Sequence, residues 1–448
     1  MGALEAQIAG FITTFPGDSI PAGIMAEAKR CIVNYCGVAL NAAKDPSSDI
    51  FVQLFAQEEA KPMASIIGKS LRTTARNAAL ANGYLGHFDD FDDTHMSSHI
   101  HPTSPILPAV LALAECGPVK GADLVAAFVI GVEIACRLGK LISAHALPGA
   151  EYWHPTTTYG VLGAAAAAGR LLGLNQEQMI YALGIAGTQA AGLRLSSGSM
   201  CKPLHAGMSA QNGLFSALLA QRGFTASDRM FESHRGIIGV MTTEHDHSLL
   251  ATGLGEEWEL SNVGLKPYSC GIVTHGLIDS MLELREKGVA PDSVEHIQGT
   301  ARRLAASLTE RRHPEIGLQG KFSYYHVMAA ALVDGQVLPA QFTNERVRDP
   351  SLAAVRDRIE LSTDETLAAD AARAVVRLTE GRTYTIDVPH QTGSPANPMT
   401  DRQVGQKFKG LADGVLPPAQ AERALEALWD IDRLTNAGDV VPLLAVAG

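Results

Sequence analysis

The chain has 448 residues, which at about 100–200 residues per domain means two or three domains and excludes a small disulfide-stapled module. Its 36 Lys and Arg against 47 Asp and Glu leave a net charge of −11, so neither nucleic acid nor a membrane surface is expected as a partner. Apolar residues make up 46% and aromatics only 6%, which suits closely packed helices rather than an aromatic-rich sandwich or barrel.

The first cation is Lys29 and Glu5 precedes it, so no signal peptide is expected. Apolar residues recur at three- and four-residue spacing over 21–42, 72–88, 104–116, 121–146, 156–173, 176–192 and 203–222, and each stretch predicts a helix. Pro21 suits a first turn, Gly117-Pro118 and Gly173 close helices, and Asn175 and Ser227 are capping candidates. The alanine run Ala164 to Ala168 lies beside Gly160, Gly163 and Gly169 and reads as a seam where helix backbones pack closely. The most apolar stretches, near 122–136 and 160–176, are broken by Asp123, Glu133 and Arg170, leaving no run of about 18 residues to cross a bilayer.

After about residue 265 the texture changes. β-Branched residues gather in 294–303 and 373–388, and Val375 to Thr379, Glu380-Gly381 and Thr383 to Val388 predict a hairpin. Helices at 272–287 and 322–334 lie between, and the loop Gly393 to Pro398 leads into two more at 400–411 and 418–430. The expectation is a mainly α protein: a large all-helical domain over 1–265, a smaller α+β domain over 266–395, and C-terminal helices over 396–448 returning to the helical domain. The six cysteines form no Cys-x-x-Cys pair and are expected as free buried thiols in a reducing cytosol, which speaks against an iron–sulfur dehydratase and for a cytoplasmic protein.

The densest polar cluster runs from His87 to His95 and places Asp89, Asp90, Asp92 and Asp93 within five residues. Such crowding is costly unless cations, a metal or hydrogen-bond donors face it. The flanking Phe88, Phe91, Pro105 and Leu107 favour burial over a solvated turn. His95, His99 and His101 have spacing a divalent ion could use, but neither a His-Glu-x-x-His motif nor an EF-hand loop accompanies them, so no metal is assigned. Further along, Lys202 lies just before a predicted helix, where free N–H groups and a cation converge on an anion. Lys266 lies at the expected domain junction, where pockets form, and Arg194 is a candidate carboxylate clamp. His154 precedes an apolar helix, and His275 and His326 are weaker candidates. Taken singly, a solvated lysine or a packed histidine is the plainer account of each.

Taken together, the segments resemble the MmgE/PrpD family over nearly the whole chain. The matching motifs are Asn82-Gly83 with Asp90-Phe91-Asp92-Asp93-Thr94 and His101-Pro102, His154-Pro155-Thr156, Lys202-Pro203-Leu204-His205-Ala206-Gly207, Lys266-Pro267-Tyr268 with Cys270, and Gly393-Ser394-Pro395 with Asn397-Pro398. The resemblance implies a helical domain, a smaller α+β domain closing over a cleft, a homodimer, and cofactor-free chemistry on small di- or tricarboxylates. It places active-site positions on Asp90, Thr94, His101, His154, Lys202 and Lys266; Arg194, His275 and His326 are expected beside them as further substrate contacts. The Asp90–His101 interval is one residue longer than the decarboxylase pattern, which leaves His99 and His101 as alternatives. His326 falls where the decarboxylases carry a tyrosine.

The shared chemistry fits this census. Removing a proton α to a carboxylate builds an aci-carboxylate dianion that needs preorganised cations, and Lys202, Lys266 and Arg194 supply them. His101, Asp90, His154 and Lys266 are the candidates for acid–base work. A compact length, the absence of a dehydratase-like Asn from the Asp90–Thr94 motif, and His326 favour iminodisuccinate epimerisation. The alternatives are a 2-methylcitrate dehydratase-like hydro-lyase and then a cis-aconitate decarboxylase. From another class, Asp89 to Asp93 is similar to the Mg²⁺-binding aspartates of prenyl-chain and terpene synthases, whose required second motif is missing here.

Overall fold

The computed structural model describes residues 2–244 and 246–446, and most of them are helical. One hydrophobic core gathers residues from Leu4 to Leu265 and, from the end of the chain, Met399 to Leu444. A second core gathers residues from Cys270 to Leu378. The first is the helical body and the second the small unit. Among the described residues no helix is long and apolar enough to cross a membrane.

Local chemistry sets the helix ends. Asn175 and Gln178 form a reciprocal capping box at the helix Gln176–Gly187, whereas Ser227 stands before turns rather than a helix. The helix expected from residue 72 begins at Ala75, because Arg72–Thr73 pairs with Ala64–Ser65 in a short ladder and Thr74 caps the helix that follows. The helix expected over 156–173 is broken at Tyr159, between Pro155–Thr158 and Gly160–Leu171. Two helices that apolar spacing did not reveal are Ala3–Thr14 and Ser47–Ala56; the second leaves Ile50 and Leu54 exposed, so it lacks a clean apolar stripe.

Glycine pairs let the main helices touch backbone to backbone. A Cβ on Gly83 would lie 2.7 Å from Gly207 Cα, and one on Gly207 would lie 2.2 Å from the Leu80 carbonyl oxygen. The helix Ala75–Phe88 therefore packs directly on Cys201–Gln221. Gly131 and Gly163 do the same for Gly121–Ala144 and Gly160–Leu171, each hypothetical Cβ meeting the other's carbonyl oxygen at 2.6 Å. The C-terminal helices Asp401–Ala412 and Pro418–Trp429 pack on Ala22–Ala42.

The small unit holds a four-stranded sheet in the order Ile359–Thr363, Val294–Ala301, Ala372–Leu378, Thr383–Val388. The first pair is parallel and the other two are antiparallel. Ala372, Ala374, Val376 and Leu378 alternate into the core, and Gly381, at φ +87°, closes the expected hairpin. The edge strand Ile359–Thr363 buries only Ile359, so it carries no two-residue alternation to betray it. Helices His275–Glu286 and Tyr324–Asp334 cover the sheet. All six cysteines are free thiols, but only four are buried. Cys116 sits in the turn after the helix Thr103–Ala114 and Cys201 opens the next long helix, and both are exposed.

Candidate active site

Between the body and the small unit lies a cavity of about 270 Å³. The body lines it with Asp90, Thr94, His99, His101, His154, Arg194, Lys202 and Lys266, and the small unit with Gly271, Ile272, Val273, Leu308, Thr309 and Phe322, among others. A larger groove of about 890 Å³ runs past Glu256–Asn262, but its cations Arg30 and Lys140 are already paired with Glu27 and Glu259.

Asp90 is the centre of the cluster. The helix Ala75–Phe88 ends at Asp89, and Asp90 takes the left-handed position, φ +50°, where helices commonly place glycine. That strained turn is held by two lysines. Lys202 Nζ donates to Asp90 Oδ1 at 2.7 Å, and Lys266 Nζ donates to the Asp90 carbonyl at 3.0 Å with Oδ1 at 3.3 Å. Burial alone would raise the Asp90 pKa, but Lys202 and then Lys266 overcome it and hold the carboxyl well below its usual range. Lys202 reaches Asp90 from the first turn of Cys201–Gln221. Lys266 follows a two-residue ladder in which Thr94–His95 pairs with Val263–Gly264. Gly393, at φ +87°, lies so close to this segment that a Cβ there would meet the Leu265 carbonyl oxygen at 2.0 Å.

The remaining acids each accept hydrogen bonds from neighbouring side chains. Asp92 takes hydrogen bonds from His87 Nδ1 at 2.8 Å and Ser104 Oγ at 2.6 Å, and Asp93 from Thr103 Oγ1 at 2.5 Å. Asp89 accepts from Asn41 at 2.6 Å and lies 3.4 Å from the Lys321 ammonium. His101 Nδ1 lies 2.9 Å from the Asp93 carbonyl, which can only accept, so Nδ1 carries the proton and Nε2 keeps its lone pair. That Nε2 lies 3.9 Å from Asp90 Oδ1. Burial first, with Lys266 and Lys202 adding to it against Asp92, lowers the His101 pKa. His154, whose Nδ1 is 3.0 Å from His205 Nδ1, is lowered well below its usual range by burial and then by Lys202. Two neutral imidazoles thus share one cavity with two ammonium groups.

Thr94, Arg194 and both His99 and His101 meet at this cavity. Two expected substrate contacts do not reach it. His326 is buried in the small unit, with Nε2 2.9 Å from the Gln341 carbonyl and its ring against Phe342. Phe322, four residues earlier, lines the cavity instead. His275 opens a helix behind Lys266 and packs edge-on against Tyr268. His95 turns away to Ser98 and Glu259, so it cannot join His99 and His101 around an ion. Ligand atoms of His87, Asp90, Asp92 and His101 do lie within 4.8 Å of one another, yet the two lysine ammoniums on Asp90 would repel a divalent cation there. Of the four aspartates only Asp90 lines the cavity, so they do not present the paired aspartate face a Mg²⁺-dependent synthase needs.

Several participants escaped the sequence reading. Lys407, from the C-terminal helix, donates to Asn34 Oδ1 at 2.7 Å and to the Phe91 and Lys266 carbonyls at 2.8 Å each, tying the Asp90 turn to the Lys266 strand. Lys321 donates to the Asp89 carbonyl and to Ser269 Oγ, each at 2.7 Å, joining the small unit to the same turn. A lone lysine in an amphipathic helix carries no signal of such a role. Asn82 was legible as a motif residue, and its part is structural: it takes the Ile67 N–H at 2.9 Å and donates to the Ser65 carbonyl at 3.0 Å.

A helical body closed by a small α+β unit over a buried lysine–aspartate–histidine pocket defines a class of two-unit cleft proteins. Comparison with known sequences specifies which. The model of the MmgE/PrpD N-terminal domain matches residues 6–250 and that of the MmgE/PrpD C-terminal domain matches 268–432; the chain belongs to the MmgE/PrpD family, whose members are enzymes. It is similar to the cis-aconitate decarboxylase of Aspergillus terreus, 28% identical over 98% of this chain and 95% of the fungal one. It is also similar to the mouse cis-aconitate decarboxylase, 25% identical over 98% and 92% of the two chains, and to the human one, 26% identical over 84% and 80%.

Proposed function

We propose that this protein is a lyase that forms a carbanion α to a carboxylate of a small polycarboxylate, without help from a metal or organic cofactor. One observation carries the reading: two ammonium groups share an oxygen of the buried Asp90 beside a histidine whose Nε2 is left free as a base. Each lysine retains donors beyond those spent on Asp90, and a substrate carboxylate would accept them. As the α-carbon loses a proton or CO₂, the charge that develops on that carboxylate is met by cations already in place. His101 Nε2 takes or returns the proton, and His154 serves the leaving group or the opposite face. Asp90 holds the lysines in register. The names of the relatives favour loss of CO₂ over epimerisation, and loss of water is compatible with the family.

Epimerisation of iminodisuccinate keeps one support, the two neutral imidazoles in one cavity. It loses the argument from His326, which lies outside the cavity. Its length argument separates the chain from dehydratases but not from the decarboxylases, which it matches nearly end to end. The same reading carries over the division at 265/266 and 395/396, with Lys266, the first residue past the boundary, standing on the body side of the cleft that the rest of 266–395 closes, and a homodimer, which light scattering checks. The experiment is proton NMR in D₂O on EDTA-treated protein with cis-aconitate, 2-methylcitrate, 2-methylmalate and iminodisuccinate in turn. A new alkene or loss of CO₂ is the expected result. Stereoisomer interconversion without an alkene makes it an epimerase instead, and turnover that requires added Mg²⁺ overturns the reading.

A further inference from the structure

The two walls of the cavity differ in chemistry, and the difference constrains what fits. On the body side, three cations, Lys202, Lys266 and Arg194, stand against one carboxylate, Asp90, which leaves two positive charges because burial keeps the histidines neutral. Among the described residues the small unit places no charged side chain in the lining; its contribution is Ile272, Val273, Leu308 and Phe322 with a glycine, a serine and a threonine. Phe322 also lies under Lys202, with Nζ 5.2 Å from the ring centroid, so the apolar wall reaches the edge of the cationic one. At about 270 Å³ the space falls just below the usual range for ligand pockets, so a small ligand bound there touches both walls at once.

We infer that the substrate is a dicarboxylate bearing one apolar substituent, its two carboxylates on the Lys202–Lys266–Arg194 side and its alkyl group against Ile272, Val273, Leu308 and Phe322. Two charges match the two the cavity supplies. A third carboxylate would lie on a wall whose two hydroxyls, Ser307 and Thr309, already donate to the Leu304 and Ala305 carbonyls, poorly placed to replace its water, and the four of iminodisuccinate would be more poorly matched still. An alkyl group on that wall gains the transfer free energy of its methylenes. The inference rests on the cavity being the substrate site proposed above.

Calorimetric titration of the full-length protein tests binding apart from turnover, with succinate, 2-methylsuccinate, 2-propylsuccinate and tricarballylate as probes. Affinity is expected to rise about 4-fold per methylene from succinate to 2-propylsuccinate, with tricarballylate at least ~10-fold weaker than the last. Leu308 is partly exposed, so Leu308→Lys is tolerated; it should bring tricarballylate level with or ahead of 2-propylsuccinate, while Leu308→Gln leaves the wild-type order. Tricarballylate binding tighter than 2-propylsuccinate in the wild type, or no change of order in Leu308→Lys, overturns the inference and leaves the proposed chemistry standing. Failure of all four to bind at 20 mM, roughly the weakest affinity worth calling specific, overturns both.

Discussion

The helical body and the small unit meet at one cavity but contribute to it by opposite means. The body presents buried charge held by hydrogen bonds and ion pairs within the cluster: Lys202 to Asp90, His101 to Asp93, Thr103 to Asp93. The small unit presents apolar side chains and donates its one nearby cation, Lys321, to the back of the Asp89 turn rather than to the cavity. The lesson is a division of labour. A site that must stabilise developing charge needs dipoles that do not reorganise, and a rigid helical packing provides them. Selection among ligands needs only a wall of the right shape and polarity, which a separate unit can vary without disturbing the charges.

Breaking the body wall should have the largest effect. Asp90→Asn and Lys266→Ala are each expected to lower the rate at least ~100-fold, measured as initial rates on whichever polycarboxylate turns over; wild-type rates in either would remove that residue from the mechanism. Next comes the tie between the segments. Lys407→Met strands three acceptors, Asn34 Oδ1 and the Phe91 and Lys266 carbonyls, and should cost about 1–3 kcal/mol of stability along with most of the turnover number, read by urea denaturation and steady-state kinetics. Gly207→Ala forces a Cβ against the Leu80 carbonyl oxygen and should cost a similar ~1–3 kcal/mol through overpacking, with activity falling because Lys202 rides on the same helix.

The smallest effects sharpen the contrast from the other side. His326→Gln, away from the cavity, should leave kcat/KM within about 2-fold. It also bears on pH. Burial holds His87 at about 3, and His99 and His326 at about 4, so these rings stay neutral in the folded protein while the unfolded chain takes up protons below about 6.5. The unfolded state then binds more protons, and stability is lost as pH falls from about 6.5 toward 4. Asp93 opposes this: burial and Asp92 raise it to about 7, so it keeps a proton that the unfolded chain releases above about 4. Glu133, raised by burial to about 6, opposes it as well, but burial also lowers His101, His154, His205 and His275, and the larger number of neutral histidines predicts net loss of stability on acidification, which urea midpoints at pH 7 and pH 5 will show. His326→Gln should make that loss shallower.

Much of the body wall was legible. Four carboxylates in five residues flanked by phenylalanines announced a buried, compensated cluster, and the lysine-, histidine- and glycine-bearing motifs identified its partners. The small-unit wall was legible only as secondary structure. Ile272, Val273 and Leu308 are ordinary apolar residues in sequence, indistinguishable from core until the chain is folded, and the substitution of Phe322 for His326 as the cavity residue is a matter of four positions in one segment. Lys321 and Lys407 show the same limit for charge, since a lysine buried among backbone carbonyls and one in water have the same neighbours in the chain.

What the sequence by itself determined is the order of helices and strands and the residue types that must meet, because periodicity, caps and charge crowding act over a few residues. Only the tertiary structure decided which face each residue shows: that His95 turns to Glu259 while His101 turns to Asp90, and that the small unit brings no charge to the cavity. Those outcomes depend on contacts between segments more than a hundred residues apart, such as Lys202 and Lys266 on Asp90, where the low dielectric of a closed interior makes pairing obligatory.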